Sequence, residues 1–267
     1  MARVLALSSQ VSRGAVGLSA SVPALQWLGH EVWALPTILL ASRPGMGRLE
    51  RLPLDGSDLA RLLGALEADG TFGTIDGVLC GYFPSPGAVA AAAQAVARIK
   101  AANPKVVVLC DPVLGDNGQL YIAPATADAI RDTLLPLATV TTPNLFELGW
   151  LTGRSPHTAE MTATCAHRLG VPSVVVTSAA RNGDTLTTTL VTPDTAQDFK
   201  SIFRERLPNG TGDLLAGLLL GYLLDALPLP NALGLALAAL DRVAVESQGR
   251  DALDLAALAA TPRVPNA

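Results

Sequence analysis

The chain has 267 residues, 49% of them hydrophobic, enough for one large core, and its formal net charge is −4 without any cluster of Lys or Arg. That balance argues against a nucleic acid or an anionic membrane as the main partner and favours a small molecule. Cys80, Cys110 and Cys165 lie far apart, so neither a disulfide framework nor a Cys-x-x-Cys metal site is indicated, and all three are expected to be reduced core residues. The N-terminus lacks the charged start and long apolar stretch of a signal peptide, so export is not expected. Leu214 to Leu224 is very apolar but far shorter than the roughly 20 residues that span a bilayer. With no linker, low-complexity block or fixed-period repeat, residues 1–267 read as one domain.

In chain order, Val4 to Leu7 reads as a buried strand that delivers Ser8, Ser9 and Gln10 at its carboxyl end. Gly14 and Gly17 lead into a helix from Ala20 to Leu28, stopped by Gly29, and Glu31 to Leu35 is a second strand. Residues 36–56 have weak periodicity and fit either a flap over a site or a small edge hairpin. A helix is expected over Asp58 to Asp69, a strand over Ile75 to Cys80, a helix over Ala88 to Ala101 and a buried strand over Val106 to Cys110. The alternation continues with a helix from Thr126 to Leu135, a strand from Thr139 to Thr142, and helices at Leu145 to Leu151 and Ala159 to Leu169. Ser173 to Thr177 is a β-branched strand, Asp184 to Val191 an antiparallel strand at the sheet edge. Helices at Leu214 to Leu227 and Ala232 to Ser247, with a weak third from Leu253 to Ala260, close the chain. Such alternation, with near-continuous apolar strands, predicts an α/β fold with a mostly parallel sheet covered on both faces.

Polar residues gather where strands end or helices begin, and in a parallel sheet those ends share one edge, where ligands bind. The most informative stretch is Pro208-Asn209-Gly210-Thr211-Gly212-Asp213, a glycine turn feeding an apolar helix. Its N–H groups can converge on one anion, aided by the helix dipole, and Asp213 sets a candidate base beside that anion hole. As an isolated tetrapeptide it reads equally well as a tight turn with a helix cap. Asp111 and Asp116 flank a proline-fixed turn, and Glu147 follows Thr142-Pro143-Asn144. Three carboxylates with no basic cluster suggest a hard cation with oxygen ligands, most simply Mg²⁺ holding a nucleotide, although each acid alone reads equally as a cap or loop residue. Signatures of P-loop, dinucleotide-binding, zinc-protease and serine-hydrolase sites are absent, and His30, His157 and His167 have no triad-like context.

These motifs resemble the pyridoxal kinase family of the ribokinase-like superfamily over nearly the whole chain. The likeness rests on Ser9 in Ser-Gln-Val-x-x-Gly, Gly81-Tyr82, Asp-Pro-Val-Leu-Gly-Asp at 111–116, Thr142-Pro143-Asn144-x-Phe146-Glu147, Val176-Thr177-Ser178 and Gly210-Thr211-Gly212-Asp213. The resemblance implies a three-layer α/β/α fold with a small flap, and transfer of the ATP γ-phosphoryl group to the 5′-hydroxyl of pyridoxal. It implies Asp213 as base, Gly210, Thr211 and Gly212 as anion hole, Asp116 and Glu147 near Mg²⁺, and Asp111 and Thr142 near a monovalent cation, K⁺ or Na⁺. Asn144, Thr177 and Ser178 would face ATP with Tyr121 near its phosphates, while Ser9, Tyr82 and the flap residues Pro44 and Gly45 would meet the acceptor. A cytoplasmic homodimer is also implied. The chain departs from the family where Val16-Gly17-Leu18 replaces Val-Gly-Asn and Ala41-Ser42-Arg43 replaces Ser-Asn-His. Those changes predict a raised KM for pyridoxal, improved by Leu18→Asn with Arg43→His. The rival readings are a hydroxymethylpyrimidine kinase with the same catalytic parts and a regulatory nucleotide-binding module with weak turnover.

Overall fold

The computed structural model describes residues 1–48 and 50–260. The first part of the chain forms β1 (Arg3–Arg13), α1 (Leu18–Trp27), β2 (Glu31–Ser42), β3 (Arg51–Pro53), α2 (Gly56–Ala68), β4 (Gly77–Cys80) and α3 (Pro86–Ala102). The middle forms β5 (Val107–Cys110), a hairpin of β6 (Gly115–Asp116) and β7 (Gln119–Leu120), α4 (Pro124–Ala129), β8 (Val140–Thr141), α5 (Leu145–Thr152) and α6 (Ala159–Arg168). The last part forms β9 (Ser173–Asn182), β10 (Thr185–Val191), β11 (Ala196–Ile202), α7 (Thr211–Leu224) and α8 (Leu229–Ser247), with a 3₁₀ turn at Leu255–Ala260.

Nine strands make one sheet in the order β11-β10-β9-β8-β5-β4-β1-β2-β3. The strands from β9 through β2 run parallel, and β10, β11 and β3 add antiparallel margins. Side chains alternate across the pleat, so one strand serves two cores. Leu5, Leu7, Val78, Cys80, Val108 and Cys110 pack beneath α2 to α6, while Val4, Ala6, Leu79, Leu109 and Val175 pack against α1, α7 and α8. Burial on both faces is why these strands read as unbroken apolar runs. The three cysteines are free and buried. His30 is buried with Nε2 3.0 Å from the Gly221 carbonyl, while His157 and His167 are exposed.

Two expectations change, and one open alternative is decided. β1 and β2 run well past Leu7 and Leu35, because their pairing resumes after an irregularity that sets Ser8 opposite Pro36 and Ser9 opposite Ile38. The extra residue, Thr37, donates its hydroxyl to the Tyr82 carbonyl at 2.6 Å, which stabilises the bulge. The 36–56 stretch, whose sequence fits either a flap or a small edge hairpin, is largely strand extension plus the short β2–β3 hairpin at the sheet edge, with Pro44, Gly45, Gly47 and Arg48 exposed. Finally, β10 is not an edge strand: β11 lies outside it in full antiparallel register. Only Phe199 of β11 packs on the core, and its charged alternation hides the strand from hydrophobic patterning. Among the described residues no helix is long and apolar enough to cross a membrane.

Candidate active site

β4, β5 and β8 end at Cys80, Cys110 and Thr141, so the next residues, Gly81-Tyr82, Asp111 and Thr142, emerge along one sheet edge. Side chains then tie adjacent loops together. Thr142 donates its hydroxyl to the Asp111 carboxylate at 2.8 Å, and the Asn144 amide donates to the Gly115 carbonyl at 2.9 Å. Asn144 also caps α5 by accepting from the Glu147 N–H, and Glu147 reaches back to accept from the Asn144 N–H, a complete capping box. The other Glu147 oxygen accepts from the N–H groups of Leu114 and Gly115 at 2.9 and 3.3 Å. Glu147 thus fixes the turn that follows Asp111 as well as its own helix.

The glycine turn is held from below. Gly210, at φ 110°, caps α7, and a Cβ built there would lie 1.9 Å from the Ala15 carbonyl oxygen. No other residue fits that approach. Gly17, at φ 57°, lies equally close to Ser9, with a built Cβ 2.1 Å from its carbonyl oxygen. The 14–17 loop is therefore sandwiched between β1 and the start of α7. Asp213 sits in the first turn of α7, half-buried.

Burial dominates the electrostatics. It pushes Asp213 up to about 6, with the N–H groups of Gly17 and of Asp213 itself pulling the other way. Asp111 is pushed up to about 7 by burial and then by Asp213, opposed by the Thr142 hydroxyl. Glu147 is raised to about 8 by burial and by Asp111, against its three amide donors. Tyr121, largely exposed beside the β6–β7 hairpin, is raised by burial of its hydroxyl, then by Asp116 and Glu147.

A cleft adjoining the turn is lined by Thr177, Ser178, Thr211, Gly212, Leu215 and Leu237. Thr177 is set in place by donating its N–H to the Pro143 carbonyl, and Ser178 takes a positive φ of 50°. Ser9, Asp111, Thr142, Glu147, Asp213 and the glycine turn thus converge through direct contacts or charge coupling, and Thr177 and Ser178 adjoin them. Tyr82, half-buried, reaches this edge through its N–H, which donates to Ser8 Oγ at 3.0 Å. Pro44 and Gly45 stand apart on the exposed turn after β2. Asp116 is exposed in its hairpin and occupied with Asn117.

Sequence reasoning missed Arg204 and Asp241, which form an ion pair on the cleft wall. Each is an ordinary charged residue in its own segment, and only the unrecognised β11 brings them together.

The donor set suits a hard cation. Among the described residues no three His, Cys, Asp or Glu side chains cluster closely enough to hold a metal unaided. The carboxylates present are oxygen donors beside the glycine turn, and an oxygen of buried Asp111 lies 4.0 Å from the Cβ position of Gly212. A cation here would complete its shell with phosphate oxygens and water, as Mg²⁺ does with nucleotides.

This arrangement, a three-layer α/β/α sheet with a glycine turn opening a buried helix and an adjacent carboxylate, is that of a small-molecule kinase. The phosphomethylpyrimidine kinase family model matches residues 76–250. The chain is 38% identical over 226 residues to the pyridoxal kinase of Leifsonia xyli subsp. xyli, covering 81% of this chain and 79% of that one. Pyridoxal kinase from Entamoeba histolytica superposes with a TM-score of 0.89 at 27% identity, covering 96% of this chain and 93% of that chain. The Leishmania donovani enzyme, solved in complex with ADP and pyridoxamine, gives 0.86 at 29%, covering 96% and 92%. The chain belongs to the pyridoxal kinase family.

Proposed function

We propose that the protein is an ATP-dependent pyridoxal kinase, one domain over residues 1–267, that phosphorylates the 5′-hydroxyl of the vitamer. The observation that carries this reading is Asp213 in the first turn of α7, beside the Gly210–Gly212 amides and with the Gly17 N–H directed at its carboxylate. With its pKa near 6, Asp213 is mostly ionised at neutral pH and basic enough to take a proton. As the acceptor oxygen bonds to the γ-phosphorus, Asp213 receives the hydroxyl proton, the bond from the γ-phosphorus to its bridging oxygen breaks, and ADP leaves with that electron pair. The N–H groups of Gly210, Thr211 and Gly212, at the positive end of α7, stabilise the charge on the transferring group.

On the nucleotide side, Thr177 and Ser178 line the cleft for the base and ribose, while Asn144 and Tyr121 stand nearer the phosphates. A bound Mg²⁺ supplies charge neutralisation there, with Asp116 and Glu147 as its carboxylates. Because the Glu147 oxygens already accept three N–H donors, its contribution to the ion is through charge and bridging water. The Thr142–Asp111 pair offers oxygens to K⁺ or Na⁺. Ser9, Tyr82, Pro44 and Gly45 form the acceptor side. A cytoplasmic homodimer completes the proposal.

The match to the phosphomethylpyrimidine kinase family keeps one second reading in view, a pyrimidine alcohol as acceptor. A panel of B6 vitamers and hydroxymethylpyrimidine, assayed for ADP formation with purified protein, decides between them. Pyridoxal is expected to show the highest kcat/KM. Preference for the pyrimidine would overturn the proposal, and turnover with neither would favour a regulatory module.

A further inference from the structure

Arg43 is not a free charge at the end of β2. Its Nε and Nη2 both donate to the Asp251 carbonyl, at 3.1 and 2.8 Å, and its Nη1 donates to the carbonyl of Pro44 at 3.1 Å. Its backbone N–H donates to the Arg13 carbonyl, tying it to the end of β1. The stem of the side chain lies across Gly14, where a Cβ would approach its Cγ, Cβ and Cδ at 3.1 to 3.3 Å. One side chain therefore joins three segments distant in sequence: the end of β2, the glycine loop 14–17 and the turn after α8.

That turn is itself built into the site. The Gly249 N–H donates to the Arg206 carbonyl, the Asp254 N–H donates to Ser247 Oγ, and Leu253 Cδ1 lies 3.3 Å from the Cβ position of Gly210. The glycine loop beneath Arg43 carries Ala15, against which Gly210 packs, and Gly17, whose N–H is directed at Asp213. Arg43 is thus one loop removed from the proposed base and touches neither the base nor the ATP cleft.

We infer that Arg43 is a positioning residue for the acceptor, a latch that clamps the end of β2 and the glycine loop against the Asp251 carbonyl and holds the acceptor side in order before substrate arrives. Guanidinium suits this work because its planar fork brings Nε and Nη2 to one carbonyl oxygen and leaves Nη1 for a second. An acceptor site ordered in advance binds with less entropy lost. The inference rests on the kinase reading, and wild-type turnover with pyridoxal tests that reading separately.

The test is steady-state kinetics of Arg43→Ala, Arg43→Lys and Asp251→Ala, with melting temperatures and amide hydrogen exchange. In Arg43→Ala the acceptor KM should rise roughly tenfold, the scale of one lost charge-assisted hydrogen bond, with the KM for ATP unchanged. Exchange should quicken in residues 13–18 and 43–46 while the 214–224 helix stays protected. Arg43→Lys, which keeps the stem and one donor, should recover much of the acceptor KM. Asp251→Ala should stay within about twofold of wild type, since the latch uses the backbone carbonyl and the exposed Arg13–Asp251 pair at 4.0 Å is weak. An unchanged acceptor KM in Arg43→Ala would overturn the latch. So would equal rises in both KM values with a lowered melting temperature, which would mark Arg43 as merely structural.

Discussion

Asp213 and Glu147 are both acids in the first turn of a helix, half-buried and buried respectively, and their partners assign them different work. Asp213 stays partly accessible, so Asp213→Asn should retain ATP binding and lose about 10²–10⁴ in kcat, the usual share of a general base. A variant within about tenfold of wild type would reduce Asp213 to a helix cap. Glu147 is saturated by the N–H groups of Leu114, Gly115 and Asn144. Removing it orphans those donors and the capping box, so Glu147→Ala should lose stability of about 2 kcal/mol or more as well as raise the Mg²⁺ requirement. Asp116→Ala should raise the Mg²⁺ requirement alone, because Asp116 is exposed and, among the described residues, hydrogen-bonds its neighbour Asn117. Melting curves and Mg²⁺ titrations of both variants check this, and equal melting temperatures for the two would refute the distinction.

At the scale of elements, α7 shows why helices were legible and the edges were not. Its run from Leu214 to Tyr222 is buried on every side, which the unbroken apolar sequence announces. What the sequence concealed is the reason for its glycines. A Cβ at Gly217 would meet the Ser21 carbonyl oxygen at 2.8 Å and its Cα at 2.9 Å, so Gly217 lets α1 and α7 approach. Gly217→Ala gains up to about 1 kcal/mol of helix propensity and incurs about 1–3 kcal/mol of overpacking. Urea unfolding should therefore show net destabilisation, and a stabilised variant would mean that α1 moves aside freely. β11 escaped notice because only Phe199 faces the core, and the β1–β2 extension because its bulge at Thr37 breaks the alternation. The two positions that the resemblance singles out, Leu18 and Arg43, needed coordinates as well. Leu18, 1% exposed, belongs to the core shared by α1 and α7, where an asparagine would need a buried partner. Arg43 is engaged with Asp251. The double change to Asn and His is therefore no longer expected to improve binding.

Across the whole molecule, topology brings acids from three distant segments to one edge. The motifs Asp111, Glu147 and Gly-Thr-Gly-Asp were readable because each follows a strand or opens a helix, but their mutual burial was not. Burial raises all three, and a neighbouring carboxylate adds to it for Asp111 and Glu147: Asp213 to about 6, Asp111 to about 7 and Glu147 to about 8, from ordinary values of 3.8, 3.8 and 4.5. In the unfolded chain these groups lose their protons near pH 4, whereas the folded protein keeps them to higher pH. Between those limits the folded state binds more protons, so its stability falls as pH rises from about 4 to about 8 and stays lower above. Exposed Asp55 and Asp132, whose pKa values are lowered, act below pH 4 and do not offset this. Urea unfolding of the free protein should accordingly give a lower free energy at pH 8 than at pH 5, and Asp111→Asn should flatten the difference. Mg²⁺ with ATP binds the folded state and sets positive charge among these acids, so it should restore most of the loss at pH 8. A stability that is level or rising between pH 5 and 8 without ligand would show that this edge is hydrated in solution and that its acids ionise at ordinary pH.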